Sequence, residues 1–238
     1  MNGFTKSAPS LNTLVEGRPV RLAAGVEIRT FTEADRPALR ALFGRAGEGA
    51  PTASLWGHEE SEAAVYLTPY LDHEPESVFV AVVDGELAGY LAGSLGRGVP
   101  SESARMDRAI REHRLVLRRR PATFFARSLL DLAGAALRRR PTAGELDDPR
   151  WPAHLHINLL PHARGTGAAA GLMEHWFARL HETGTPGCYL QTLVENRRAT
   201  RFFARMGFEG HGPAPAVPGL RYEGGRVHQL TLVRPGPA

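Results

Sequence analysis

Over residues 153–184 an alternating apolar run, a turn of small residues and an amphipathic helix follow one another directly. No other stretch of the chain restricts its fold so strongly. The run AHLHINLLP (153–161) alternates polar and apolar side chains, the period of a strand. The next stretch, 165–184, places Leu172, Met173, Trp176, Phe177 and Leu180 on one helical stripe, with Gly184 as its stop. The pattern then repeats. CYLQTLV (188–194) reads as a strand, and Asn196 caps a helix whose apolar face is Ala199, Phe202, Phe203 and Met206, ended by Gly207. Strand, helix and strand in succession give an α/β fold with at least one parallel pair, because parallel neighbours need a crossover connection.

The first half of the chain is compatible with the same fold. VEIRTF, from Val26, predicts a strand, and Thr32 caps a helix over about 33–47 with Leu39, Leu42 and Phe43 inward. A second helix is expected over about 58–72. Two apolar runs, 77–83 and 86–94, flank Asp84-Gly85, a strong hairpin signal. Residues 1–24 have no sustained period and read as an N-terminal arm, leaving 25–238 as a single domain. At the other end, FEGHGP and RVHQLTLV predict two short strands around a loop rich in Gly and Pro.

Residues 95–150 differ in composition. Two helical stretches, about 101–118 and 122–138, each end in Arg-Arg-Arg-Pro, and the span 95–140 carries a net charge of +8. The simplest reading is a pair of amphipathic helices with solvated arginine faces. A docking surface for an anionic acceptor or partner, or contact with a membrane surface, are the alternatives. Of the 29 basic residues 28 are arginine, a skew that fits a GC-rich genome, so the net charge of +4 argues only weakly for a nucleic-acid partner.

Other classes are excluded more simply. A chain of 238 residues with 42% hydrophobic content can bury a full core without staples. No apolar run approaches about 18 residues, so no membrane span is expected. The start lacks the pattern of a secretory signal, and the single cysteine, Cys188, reads as a small apolar residue; a cytoplasmic protein is expected. Ten histidines are scattered without an H-E-x-x-H spacing, so no metal is expected.

Between strand and helix lies Arg164-Gly165-Thr166-Gly167-Ala168-Ala169. Small residues at such a turn let backbone amides approach a ligand, and the helix start adds unpaired donors and partial positive charge: an anion site. It is neither the dinucleotide fingerprint nor a P-loop, since the third glycine and the Gly-Lys-Ser/Thr are missing. The turn is of the form R-x-x-G-x-A, and about 30 residues on comes N-x-x-A-x-x-F-F-x-x-x-G-F, from Asn196 to Phe208. This pair resembles the two signature segments of the GNAT superfamily of acetyl-coenzyme A-dependent N-acetyltransferases. The resemblance covers about 25–95 and 151–234.

That resemblance implies a central mixed, mostly antiparallel sheet flanked by helices, with 95–150 a helical insertion between the third and fourth strands. It implies acetyl-CoA as co-substrate, with the backbone of Arg164, Gly165, Thr166, Gly167, Ala168 and Ala169 cradling the pyrophosphate. The strand near Leu159 and Leu160 would pair with the pantetheine arm, and Asn196 would hydrogen-bond it. The family often has tyrosine where this chain has Phe203, and that hydroxyl serves the departing thiolate; phenylalanine has no proton to give.

Strand alternation puts His154, His156 and Asn158 on one face, opposite Leu155, Ile157 and Leu159. Three polar residues on a central strand face a cleft or partners. An amine must lose a proton as it attacks a thioester, and histidine is suited to take it; His156, with His154, is the expected base. The His-Leu-His is similar to the paired histidines of the arylalkylamine N-acetyltransferases. Its spacing to the arginine turn is one residue shorter, which a bulge would have to absorb. Weaker candidates are Glu195, expected as a solvated loop carboxylate, His228-Gln229 at the acceptor side, and the loop acids Asp147 and Asp148.

The expected activity is transfer of an acetyl or short acyl group to an amine of a small molecule or peptide. A non-catalytic acyl-CoA sensor and nucleic-acid binding through the arginine-rich helices are the rivals. Neither nucleic acid nor a membrane is the expected partner, and a homodimer is compatible with the sequence.

Overall fold

A computed structural model describes residues 22–46 and 55–236, together with a two-strand ladder at β1 (Leu14–Val15) and β2 (Arg18–Pro19). Apart from that ladder and residues 22–24, the expected arm lies outside the described residues. The elements continue as β3 (Val26–Thr30), α1 (Arg36–Ala46), α2 (Glu59–Tyr66), α3 (Thr68–His73), β4 (Val78–Val83) and β5 (Glu86–Ser94). Then come α4 (Glu102–Glu112), α5 (Arg119–Leu137), β6 (Ala153–Leu159), α6 (Ala168–Glu182), β7 (Gly187–Leu193) and α7 (Arg197–Arg205). The chain closes with β8 (Glu209–Gly210), β9 (Ala216–Tyr222) and β10 (Gly225–Pro235).

The sheet runs β3-β4-β5-β6-β7-β10-β8, with β9 on β10. Every pairing is antiparallel except β6 with β7. The mixed, mostly antiparallel sheet expected from the sequence is therefore present, and α4 and α5 lie between the third and fourth strands of its path. The pleat sorts the core. Phe79, Ala81, Leu91, Leu155 and Leu190 pack with α6 and α7 through Leu172, Trp176 and Phe203 on one face. Val78, Val80, Tyr90 and Ala92 meet Leu39, Leu42, Tyr70 and Leu71 of α1 and α3 on the other.

Local signals held where the chemistry is local. Thr32 donates its hydroxyl and its amide to Asp35 at 2.9 Å, closing a capping box before α1. Asp84 (φ 51) and Gly85 (φ 84) form the hairpin turn, both in the left-handed region that a two-residue loop requires.

Four expectations need correction. The helix expected over 58–72 breaks at Leu67, because Pro69 starts a new helix and disfavours continuation of the old one. The helix expected over 101–118 ends at Glu112, where Arg114 takes a left-handed conformation before a 3-10 turn, Leu115–Leu117. The Gly- and Pro-rich loop after FEGHGP contains a strand, β9, which turns back through Glu223 (φ 49) and Gly224 (φ 79). Finally, β6 runs against β5 in unbroken register from Gly89↔Leu159 to Ser94↔His154, so no bulge on that ladder absorbs the one-residue difference in spacing.

Candidate active site

The two parallel strands part company early. β6 and β7 pair only at Ala153↔Cys188 and His154↔Tyr189, although β6 continues to Leu159 and β7 to Leu193. Beyond His154 the edge of β6 that faces β7 is an open row of backbone donors and acceptors, while its other edge is fully paired with β5. Such a wedge can accept an extended ligand as an added strand.

The turn after β6 closes the wide end of this wedge. A 3-10 turn, Pro161–Ala163, leads into Arg164, and Gly165 (φ 83) and Gly167 (φ 89) then bring the chain to the start of α6. Both φ values favour glycine. Thr166 donates its hydroxyl to the Ala163 carbonyl at 2.7 Å, and its own carbonyl accepts from the Ala23 amide at 2.9 Å. Among the described residues the amides of Gly165, Thr166, Gly167 and Ala169 have no acceptor. Arg164 lies near enough to Arg198, on the first turn of α7, that burial and this second guanidinium lower its pKa. With no carboxylate paired to either among the described residues, the turn presents free amides beside two cations, which suits phosphates.

Asn196 caps α7 as expected, its side-chain oxygen accepting from the Ala199 amide at 3.2 Å. Phe203 is buried, its ring 5.3 Å from Phe202 and 5.8 Å from Phe208. Its ring is thus part of the core beneath α7.

On the opposite face the polar strand residues are all engaged. Tyr70 of α3 places its hydroxyl 2.8 Å from His154 Nε2 and 3.0 Å from His156 Nε2. Asn158 donates to the Tyr90 hydroxyl at 2.8 Å. Arg105 of α4, only 5% exposed, donates to the Tyr70 hydroxyl at 3.2 Å and to the Val65 carbonyl at 2.6 Å, and pairs with Glu145 at 3.3 Å. Its Nε has no partner among the described residues. Glu145 is held there because the Gly144 backbone donates to Gln229 at 3.1 Å and accepts from it at 2.8 Å.

The donors and acceptors around Tyr70 define a proton order. A phenol has one hydrogen and two lone pairs, and Arg105 always donates. One histidine therefore donates its Nε2–H to the hydroxyl, and the other accepts from it, so the two neutral rings are opposite tautomers joined through one oxygen. Burial and the Arg105 guanidinium lower the His154 pKa to about 4; burial, His154 and Arg105 lower that of His156 to about 3. A base titrating near neutrality, as the sequence suggested, is thus replaced by two imidazoles that stay neutral well into the acid range. Tyr66 donates to Glu102 at 2.8 Å, and burial together with Glu145 raises the Glu102 pKa.

The weaker candidates fall elsewhere. Glu195 is not a free loop carboxylate: His228 Nδ1 lies 3.0 Å from it, and the His228 amide donates to it at 3.1 Å. Burial raises its pKa, but these hydrogen bonds outweigh burial and leave it lowered. Asp148 pairs with Arg150 at 2.7 Å. Among the described residues one cluster, His58, Glu60 and His113, brings potential metal ligands within 4.8 Å of one another, and His58 Nδ1 is already shared with Ser61 at 2.9 Å.

Tyr70, Arg105, Glu145 and Arg198 were not singled out from the sequence. Arg105 left one trace: it lies four residues before Ala109, in phase with the inward face of α4, contrary to the expectation of a solvated arginine face.

The chain matches the acetyltransferase (GNAT) family over residues 48–208, and it belongs to that family. Among curated relatives, the uncharacterized N-acetyltransferase Rv2669 of Mycobacterium tuberculosis and Mb2688 of Mycobacterium bovis are 37% identical over 77 residues. That segment is 32% of this chain and 49% of theirs, so the chain spans about half the length of the curated relatives it matches. Among solved structures, SsHAT superposes with a TM-score of 0.56 at 23% identity, covering 90% of this chain and 100% of that one. The protein yncA of Salmonella typhimurium, determined with its cofactor acetyl-CoA, gives 0.55 at 14% identity, with 90% and 95% covered. Both likenesses concern the fold.

Proposed function

We propose that this protein transfers an acetyl or similarly short acyl group from acetyl-CoA to an amine on a small molecule or peptide. The observation that carries the reading is the parting of β6 and β7 at His154 and Tyr189, which sets an open strand edge beside the His154–Tyr70–His156 cluster. The residues present suit the co-substrate. The amides of Gly165, Thr166, Gly167 and Ala169 would hold the pyrophosphate, with Ala168 opening α6 and Arg164 and Arg198 supplying positive charge. The edge of β6 to Leu159 and Leu160 would pair with the pantetheine amides. Asn196 keeps its side-chain N–H donors for the same arm while its oxygen caps α7.

In the reaction the amine nitrogen forms a bond to the acyl carbon and the carbon–sulfur bond breaks. Holding both reactants in line supplies most of the acceleration, and the ammonium formed by attack is acidic enough for a weakly basic, neutral imidazole to take its proton. His156 or His154 accepts it, and the Tyr70 hydroxyl passes hydrogen-bond order to the second ring. Asn158 orients Tyr90 beside them. The thiolate takes its proton from solvent, since Phe203 has none to give.

The test is an acceptor screen with acetyl-CoA, read by product mass. Acetylated product on one class of amine supports the reading. Calorimetric binding of acetyl-CoA with no transfer to any amine would favour an acyl-CoA sensor, a second reading that the missing phenol at Phe203 supports.

A further inference from the structure

Away from the wedge, the start of α5 packs against β9 and the Leu55–Gly57 segment around a cavity of about 440 Å³. Arg119, Arg120 and Arg127 of α5 and Arg221 of β9 line it, with Trp56 and Phe124 as apolar wall. No described residue lining it is acidic. Arg221 is neutralised by Asp131 at 2.9 Å. The side chains of Arg119 and Arg120 have no partner among the described residues, and Arg127 makes only a 3.4 Å bond to the Gly219 carbonyl. Arg118, the N-cap of this 19-residue helix, contributes no side-chain cap.

We propose that this cavity is a phosphate-binding pocket for a small phosphorylated molecule. Three unneutralised guanidinium groups around one concavity repel each other, and the helix N-terminus adds positive potential, so the site gains most from a multiply charged anion. A single carboxylate leaves more of that charge uncompensated than a phosphate dianion does. The volume has room for an apolar body beside the phosphate, against Phe124 and Trp56.

The pocket is separate from the proposed coenzyme turn yet linked to the polar cluster. The Trp56 ring is 6.1 Å from Tyr66, which stands edge-on to His156 at 5.7 Å. The phosphate would belong either to the distal end of the acceptor or to a separate ligand. The existence of the pocket does not depend on the acetyl-transfer reading.

The experiment is calorimetry of the full chain with inorganic pyrophosphate, comparing wild type, Arg120→Ala/Arg127→Ala, and Gly167→Val. Both arginines are exposed, so the double variant keeps its fold, which a thermal melt verifies. Binding that falls at least tenfold in the double variant and persists in Gly167→Val supports the pocket. Equal binding by wild type and the double variant overturns it, as does binding abolished by Gly167→Val alone. Tight RNA binding by wild type with no pyrophosphate binding also overturns it. Kinetics with amines bearing or lacking a phosphate identify the source. If removing the phosphate raises KM in wild type but not in the double variant, the phosphate is the acceptor's own; if added pyrophosphate changes the rate at unaltered amine KM, it belongs to a separate ligand. Either outcome supports the pocket.

Discussion

The hydroxyl of Tyr70 lies 3.0 Å from Nε2 of His156, although the two residues are 86 positions apart in the chain. The same oxygen meets His154 at 2.8 Å and Arg105 at 3.2 Å, so one hydroxyl joins both strand histidines to the buried cation.

Tyr70→Phe removes that oxygen and keeps the ring. Two imidazole nitrogens and one guanidinium N–H lose a partner in a half-buried site, at a cost of about 1–3 kcal/mol. We expect turnover to fall roughly 10–10²-fold, toward the lower end of general-base effects because one imidazole can still take the proton. Acetyl-CoA affinity should be unchanged. Single-turnover rates and calorimetry on the same preparation check this; an unaltered rate would remove the cluster from the mechanism.

The lowered histidine pKa values set a pH dependence. In the unfolded chain these imidazoles protonate near 6.5, whereas in the fold they protonate at about 4 and about 3. Between those limits the unfolded state binds more protons, so their contribution to stability is complete above about 6.5 and is lost as pH falls toward 3. The melting temperature should drop over that window, less steeply in His154→Gln/His156→Gln. The rate should show no limb from these two rings between pH 6 and 8, so any rise there reflects deprotonation of the amine.

Arg105→Met replaces the buried cation with a side chain of similar length. With the guanidinium gone, the His154 and His156 pKa values should both rise, since its charge lowers each of them. Glu145 loses its ion pair, and melting should move down. Ring-proton NMR titration reads the first effect directly, and a merely structural role for Arg105 would leave those values in place.

Gly167→Val places a β-branched side chain at φ 89. We expect a stability loss of about 1–3 kcal/mol from backbone strain and at least tenfold weaker acetyl-CoA binding, because the branched chain crowds the free amides. Calorimetry on the folded variant decides it, and unchanged affinity would remove this turn from the coenzyme site.

Much of the fold was legible because the forces that form its elements are short-range. The Asp84-Gly85 hairpin, the Thr32–Asp35 box, the Asn196 cap and the stripe from Leu172 to Leu180 each lie within a few residues. Where competing local signals met, the reading slipped. Pro69 divided one expected helix, and the left-handed Glu223-Gly224 turn created a strand inside a stretch read as loop. The polar face of His154, His156 and Asn158 was readable from period 2 alone, but its chemistry was not.

The sequence by itself determined the strand–turn–helix order, the glycines at 165 and 167, and which strand carries its polar residues to one side, all consequences of periodicity and backbone sterics. Tertiary structure decided what those residues meet. Tyr70 and Arg105 arrive from helices whose packing partners the sequence does not show, and Gln229 pins Gly144 from 85 residues away so that Glu145 reaches Arg105. A hydrogen bond of that kind depends on where two distant elements cross. The depression of the imidazole pKa values depends on how much water the crossing excludes, which no local pattern of residues encodes.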